Sequence, residues 1–362
     1  MGSELFADAS RQLTICNACR YCEGYCAVFP AIERERNFDE GTVEYLASLC
    51  HDCRECLYAC QYAPPHAFAV NIPQVFTEVR QESYTRHARP RALARLSQAA
   101  PWLAIRLTLA TVALFFGLVL ALSGGGAFSV HIGPGAFDQV VPYPVLVTVF
   151  LALGALWIVA WALEVQSFWR TVHPLRRGAG RGRALLRGAW DALSLRYMAG
   201  GGPGCAYPGE RSSVARRWLH HLVMYGFLLD LASTALAAVF RDVLGMQAPY
   251  PFLSPVVVLG TVGGIGIIVG GVGLLLLKRT SDAGATTPSA IASDTAFLVT
   301  LLLVAVTGML LLMWRSTGLL GTMLAIHLGC VAAFFIIAPY NKFKHLLFRY
   351  AALVRYRADG EA

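Results

Sequence analysis

The chain has 362 residues, of which 56% are hydrophobic and only 14% charged, with a formal net charge of +8. Soluble domains carry about 25% charged residues, so this balance excludes an ordinary soluble enzyme and indicates a membrane protein with a polar head. Residues 1–100 hold 10 Arg against 12 Asp and Glu, while residues 101–362 hold 20 Lys and Arg against 10 Asp and Glu; the basic excess sits in the apolar part, where it has a topological explanation and gives no reason to expect nucleic-acid binding.

A short helix over 3–14 leads into Cys16, Cys19, Cys22 and Cys26, a C-x2-C-x2-C-x3-C run that recurs 34 residues later as Cys50, Cys53, Cys56 and Cys60. Two such runs point to two [4Fe–4S] clusters, because two-residue gaps let a turning backbone present three thiolates to one cubane while the fourth comes from farther away. In two-cluster ferredoxins the last cysteine of each run ligates the other cluster. The expected sets are therefore Cys16, Cys19, Cys22 and Cys60, and Cys50, Cys53, Cys56 and Cys26. Structural zinc favours separated pairs, and a disulfide framework implies export, for which the residues before Cys16 offer no apolar leader. Proline commonly follows the fourth cysteine directly. Here Ala27 and Gln61 stand there, and Pro30 and Pro64 each lie four residues beyond the run, a shared offset that suggests duplication.

Residues 31–49 suit a helix between the two loops, and the turn-rich Gln61 to His66 stretch ends the head, with His66 reading as a solvated loop residue. Residues 73–98 read as one amphipathic helix that lays Arg80, Arg86, Arg89, Arg91 and Arg95 near lipid headgroups. Six apolar stretches follow at 102–122, 144–164, 218–240, 255–277, 294–314 and 319–338, each near the ~20 residues that cross a bilayer core. The loops 165–217, 278–293 and 339–362 carry 10, 2 and 5 Lys or Arg, whereas the alternate loops carry none, Arg241 and Arg315. By the positive-inside rule both termini and the cysteines face the cytoplasm of a bacterial inner membrane. The predicted fold is α-helical: a ferredoxin-type two-cluster domain at 1–72, a linker helix at 73–101, a six-helix transmembrane bundle at 102–338 and a basic cytoplasmic tail at 339–362. Pro142-Tyr143-Pro144 and Pro249-Tyr250-Pro251 suggest two related hairpins, and the glycines at 260–273 read as sites of close helix packing.

Histidine inside a bilayer is costly unless bound. His220 and His221 open the third stretch and His345 follows the sixth, at a similar depth on the cytoplasmic side, a disposition suited to bis-histidine ligation of b-type haem. Adjacent residues point about 100° apart on a helix, so one of His220 and His221 serves a given iron. His327 lies 18 residues before His345, about 27 Å along an unbroken helix, which allows a second haem or an alternative ligand pair. Asp230, an intramembrane carboxylate, is the candidate proton acceptor or quinone contact. His131 and His173 fall in loops and take no role, and Cys205 and Cys330 lack partners at ligand spacing.

The stretches CNACRYCEGYCAVFPAIERE, LCHDCRECLYACQYAPPHAFAVNIPQV, ARRWLHHLVMYGF, APYPF and IHLGCVAAFFIIAPYNKFKH resemble the tricarballylate-utilisation protein B family, also called citrate-utilisation protein B, essentially end to end. The head is also similar to heterodisulfide reductase C subunits and to the iron–sulfur subunits of succinate dehydrogenase and fumarate reductase. The membrane half is similar to the haem-b subunit of respiratory nitrate reductase, whose paired histidines stand 18 apart, as His327 and His345 do; in that family's other ligand helix they stand ten apart, where this chain has Asp230. The family resemblance implies an electron carrier that reoxidises the flavin of a partner FAD-dependent, tricarballylate dehydrogenase-like enzyme and passes electrons through two clusters and haem to membrane quinone. A heterodisulfide-reductase-like subunit running from quinol to a soluble acceptor, and an anchored iron–sulfur sensor without haem, are the alternatives.

Overall fold

The computed structural model describes residues 2–172 and 181–360, and His173 lies outside them. The protein is helical, with six helices long and apolar enough to cross a membrane. The head begins with α1 (Gly2–Cys19), α2 (Val28–Arg34), α3 (Glu40–Leu49), the short α4 (Glu55–Tyr58) and α5 (Ile72–His87). Asp39 caps α3 by accepting from the Thr42 amide at 2.8 Å, and Asn71 caps α5 by accepting from the Gln74 amide at 3.2 Å. The apolar faces of α1, α2, α3 and α5 close on Leu13, Ile32, Leu46 and Phe76, all essentially inaccessible.

The segment expected as one surface helix is two. α5 ends at His87, and α6 (Arg91–Ala99) starts after Arg89-Pro90. Proline supplies no amide proton and disfavours helical backbone in the residue before it. α5 belongs to the head core through Val75, Phe76 and Val79. Consequently Arg80 and Arg86 turn inward rather than toward headgroups: Arg80 donates to the Ala47 carbonyl at 3.1 Å, and Arg86 pairs with Glu40 at 2.7 Å and Glu44 at 3.0 Å. Arg89 is also occupied, by the carbonyls of Arg86 and Ala88. Arg91 bonds the Arg86 carbonyl; Arg91 and Arg95 stay on the exposed side of α6.

The spans are α7 (Leu103–Leu122), α8 (Tyr143–Thr171), α10 (Ala215–Asp242), α11 (Pro255–Arg279), α12 (Pro288–Trp314) and α13 (Leu320–Ile337), the last continuing as a 3-10 turn to Tyr340. α9 (Arg181–Leu193) and a two-stranded antiparallel hairpin, β1 (Cys205–Ala206) with β2 (Ser212–Ser213), lie between α8 and α10. Ser254-Pro255 and Thr287-Pro288 start α11 and α12, each hydroxyl accepting a first-turn amide at 3.3 Å. α10 and α11 approach backbone to backbone: a methyl added at Gly226 would stand 2.7 Å from the Gly263 carbonyl oxygen, and one at Gly270 would stand 2.6 Å from that of Leu219. Small residues give such helices their contact in lipid, where the hydrophobic effect supplies none.

The C-terminal segment differs from the expected basic tail. α14 (His345–Asp359) buries Phe348, Ala352 and Leu353 in the same core as α1 to α5, and Phe348 stacks on Phe168 of α8 at 4.3 Å and 9°. Its arginines are ligated rather than solvated. Arg355 lies over the Tyr45 ring at 3.9 Å and bonds Glu35 and the Val172 carbonyl, and Arg357 grips Asp191 at 2.5 and 2.7 Å. Head, membrane bundle and C-terminus thus share one seam.

Candidate functional site

Both cysteine runs fold alike where they turn. The residue after the second cysteine of each run, Arg20 and Arg54, adopts left-handed backbone with φ of 57° and 66°. That conformation costs non-glycine residues roughly 1–2 kcal/mol, and it reverses the chain so that the next thiol returns to the same side. Cys22 and Cys60 lie within electrostatic reach of Cys16, and Cys19 joins them. Cys26 and Cys50 lie together, with Cys53 and Cys56 beside both. These proximities set Cys60 beside Cys16 and Cys22, and Cys26 beside Cys50, Cys53 and Cys56, with Cys22 also within reach of Cys26 and Cys56, so the two sets adjoin. A cavity of about 280 Å³ is lined by Cys16, Cys19, Cys22, Cys56 and Cys60 with Phe29 and Val70. Thiols that surround a space fit a polynuclear cluster better than a single ion.

Burial pushes the Cys16 thiol up to about 12, with Cys22, Cys60 and Cys19 adding to it, and burial does the same to Cys22 and Cys26. Without a cation these thiols hold their protons at neutral pH; bound iron would hold them as thiolates.

The histidines separate into distinct settings. His220 of α10 and His345 at the start of α14 face each other, ring centroids 6.2 Å apart with planes at 78°. Two metal–nitrogen bonds of about 2 Å plus the inner half of each imidazole span a similar distance. His345 donates Nδ1–H to the Lys342 carbonyl at 2.7 Å, while His220 Nδ1 is enclosed with no partner. The pair therefore fits a bis-histidine metal group: one ring has its tautomer fixed, and the other keeps an unsatisfied nitrogen. Burial, aided by Arg349, pulls His345 well below its ordinary value, so it is neutral and able to ligate.

His221 points elsewhere, with Trp218 and Tyr225 each 5.7 Å away. His327 leans on α12, its Nδ1 3.1 Å from Thr307 Oγ1 and its ring against Gly308. Asp230 leans instead on Gly263 of α11, with Oδ1 enclosed and unpartnered. The helix between His327 and His345 is broken by 3-10 turns at Ala338–Tyr340 and Lys342–Lys344, so their separation is not that of one straight helix. His131 bonds Gln139 and the Gly126 carbonyl in its loop, Cys205 is enclosed beside the Met198 carbonyl, and Cys330 is buried.

Several side chains at this site escape a motif-based reading. His51, directly after Cys50, is buried, bonds the Leu49 carbonyl at 2.8 Å through Nδ1, and leaves Nε2 without a partner. Arg216 stands one turn before His220 and donates to the carbonyls of His51 and Asp52 at 3.1 and 2.5 Å. Arg349 stands one turn after His345 and donates to the Cys50 carbonyl at 2.5 Å. The i,i+4 spacing of each arginine to its histidine was available in the sequence. Lys342 and Lys278 both bond Asp294, at 2.5 and 2.7 Å, which ties the carbonyl that orients His345 to α11 and α12.

The family model for citrate utilization protein B matches residues 93–362, and the model for the citrate utilization protein B Fer4-like domain matches residues 9–86. A protein described as citrate utilization protein B from Escherichia coli is 42% identical over 357 residues, covering 98% of this chain and 92% of that relative. No solved structure matches.

Proposed function

Since the chain belongs to the citrate utilization protein B family, we propose that it is a membrane electron carrier taking electrons from a partner flavoprotein at its head and delivering them to quinone. The observation that carries the reading is the pair of grips, Arg216 on the His51 and Asp52 carbonyls and Arg349 on the Cys50 carbonyl, which fixes the second cysteine loop against His220 and His345. When bound, two [4Fe–4S] clusters and b-type haem supply one-electron chemistry at these positions.

In this reading Cys16, Cys19, Cys22 and Cys60 hold the outer cluster, Cys26, Cys50, Cys53 and Cys56 hold the inner one, and His220 and His345 hold haem. The first cavity opens beside Tyr21, which is 69% exposed, and so offers the surface at which a flavoprotein would dock. Asp230 is the proposed proton acceptor on the quinone side, its free Oδ1 lying within the span. The flavoprotein is proposed to be of the FAD-dependent, tricarballylate dehydrogenase-like type that the sequence resemblance implies. The head is proposed to lie in the cytoplasm, a reading supported by the excess of Lys and Arg in the loops on its side.

Spectra of dithionite-reduced membranes carrying the overproduced protein test this reading. A b-type α-band together with cluster EPR signals supports it. Cluster signals without that band sink the haem relay and leave an anchored iron–sulfur protein.

A further inference from the structure

The loop after Cys50 collects guanidinium groups from three helices remote in sequence. Arg349 of α14 donates to the Ser48 and Cys50 carbonyls at 3.3 and 2.5 Å, Arg80 of α5 donates to those of Ala47 and Cys50 at 3.1 and 3.4 Å, and Arg216 of α10 holds His51 and Asp52. All three are part-buried, and their partners here are mostly neutral carbonyls. The carboxylate beside them, Asp52, stands 3.8 Å from Arg216 and 3.5 Å from Arg54, so it is shared. Arg80 and Arg349 act electrostatically on Cys50, and Arg216 acts on Cys53.

The outer group differs. Its cavity includes Arg20, which is exposed and bonds the Asn17 carbonyl, so water screens that charge. Around Cys16 and Cys22 the acting charges are the other thiols.

Building on the two-cluster reading above, we propose that Arg80, Arg216 and Arg349 create a potential step inside the head, making the inner cluster, on Cys26, Cys50, Cys53 and Cys56, easier to reduce than the outer one. One electron leaves the outer group and one arrives at the inner group; no bond changes and no proton is needed. Two effects oppose each other. Burial of Cys50 and Cys53, 7% and 6% exposed, disfavours added negative charge, whereas three fixed cations favour it. The cations decide the sign because they were desolvated and fixed on folding by carbonyl dipoles, so an arriving electron meets a preorganised positive field at low dielectric. The step runs toward His220 and His345, the direction in which a carrier must pass electrons into the membrane.

The test is an EPR-monitored redox titration of the full-length, iron-replete protein in detergent. Two cluster signals with separated midpoints are expected, and Cys53→Ser should alter the higher one. Arg349→Gln should lower that midpoint alone by at least a tenfold change in the reduced-to-oxidised ratio, 59 mV for a one-electron couple. Arg349→Lys should restore most of it, and Arg80→Gln should shift the same signal the same way. Coincident wild-type midpoints, or neutral substitutions that move both signals equally or neither, overturn the potential step. Absence of both signals from wild-type protein overturns the cluster reading itself and the step with it.

Discussion

His345 donates its Nδ1–H to the carbonyl oxygen of Lys342 at 2.7 Å, which leaves Nε2 as the nitrogen free to ligate, in a ring whose centroid lies 6.2 Å from that of His220. Such a bond from a ligand's second nitrogen fixes ring orientation, and its loss typically costs about 10–100-fold in metal affinity. Alanine at His220 or His345 is expected to abolish the b-type band in reduced difference spectra. Alanine at His221, which faces Trp218 and Tyr225, should leave it intact. Loss of the band in the His221 variant alone would reverse the assignment.

Asp294 acts one shell farther out, through Lys342 and Lys278. Asp294→Asn should keep the protein in the membrane while lowering haem content at limiting haem supply, with recovery when haem is added in excess. A variant that never regains haem at saturation would argue for a collapsed bundle rather than a misplaced ligand.

Lys344 and Glu164 form an ion pair with both side chains fully enclosed, Nζ to Oε1 3.1 Å, and Lys344 also donates to the Tyr84 carbonyl at 3.1 Å. Breaking one partner of a buried pair typically costs about 3–5 kcal/mol because the other charge is stranded, while replacing both with apolar groups costs far less. Thermal unfolding in detergent should show Glu164→Leu and Lys344→Met each strongly destabilised, and the double variant nearer to wild type. Additive losses in the double variant would show that the two side chains contribute independently, and would sink the stranded-charge account.

The cysteine groups predict a crossed pattern. Cys60→Ser should change the same EPR signal as Cys16→Ser, and Cys26→Ser the same signal as Cys53→Ser, since Cys60 lies with Cys16 and Cys22 while Cys26 lies with Cys50 and Cys53. Uncrossed pairing, with Cys26→Ser matching Cys16→Ser, would contradict the geometry.

Gly226 packs against the backbone of Gly263 and Ile267. Valine there must separate α10 from α11, and overpacking of this kind costs about 1–3 kcal/mol. Because Asp230 rests on the same ridge and His220 sits about 1.7 turns before Gly226 on α10, weakened haem retention should accompany the loss of stability, read as haem release on mild heating.

The sequence by itself determined whatever depends on neighbours along the chain. Spacing marked the two cysteine runs, hydropathy marked six spans, and glycines marked a close helix contact, because loop turns, bilayer thickness and helix pitch are local constraints. It read α5 as part of a surface helix and α14 as a basic tail, since a mixed charged and apolar segment suits a membrane face, solvent or a protein core equally well. Only tertiary structure showed Phe76, Phe348 and Leu353 in one core. Helix rotation likewise decided that His220, and not His221, meets His345. The three arginines on the Cys50 loop come from α5, α10 and α14, and no local pattern joins them; chain packing brings their charges to one place. A partner hundreds of residues away is chosen by how whole helices pack, and that choice is a property of the folded molecule.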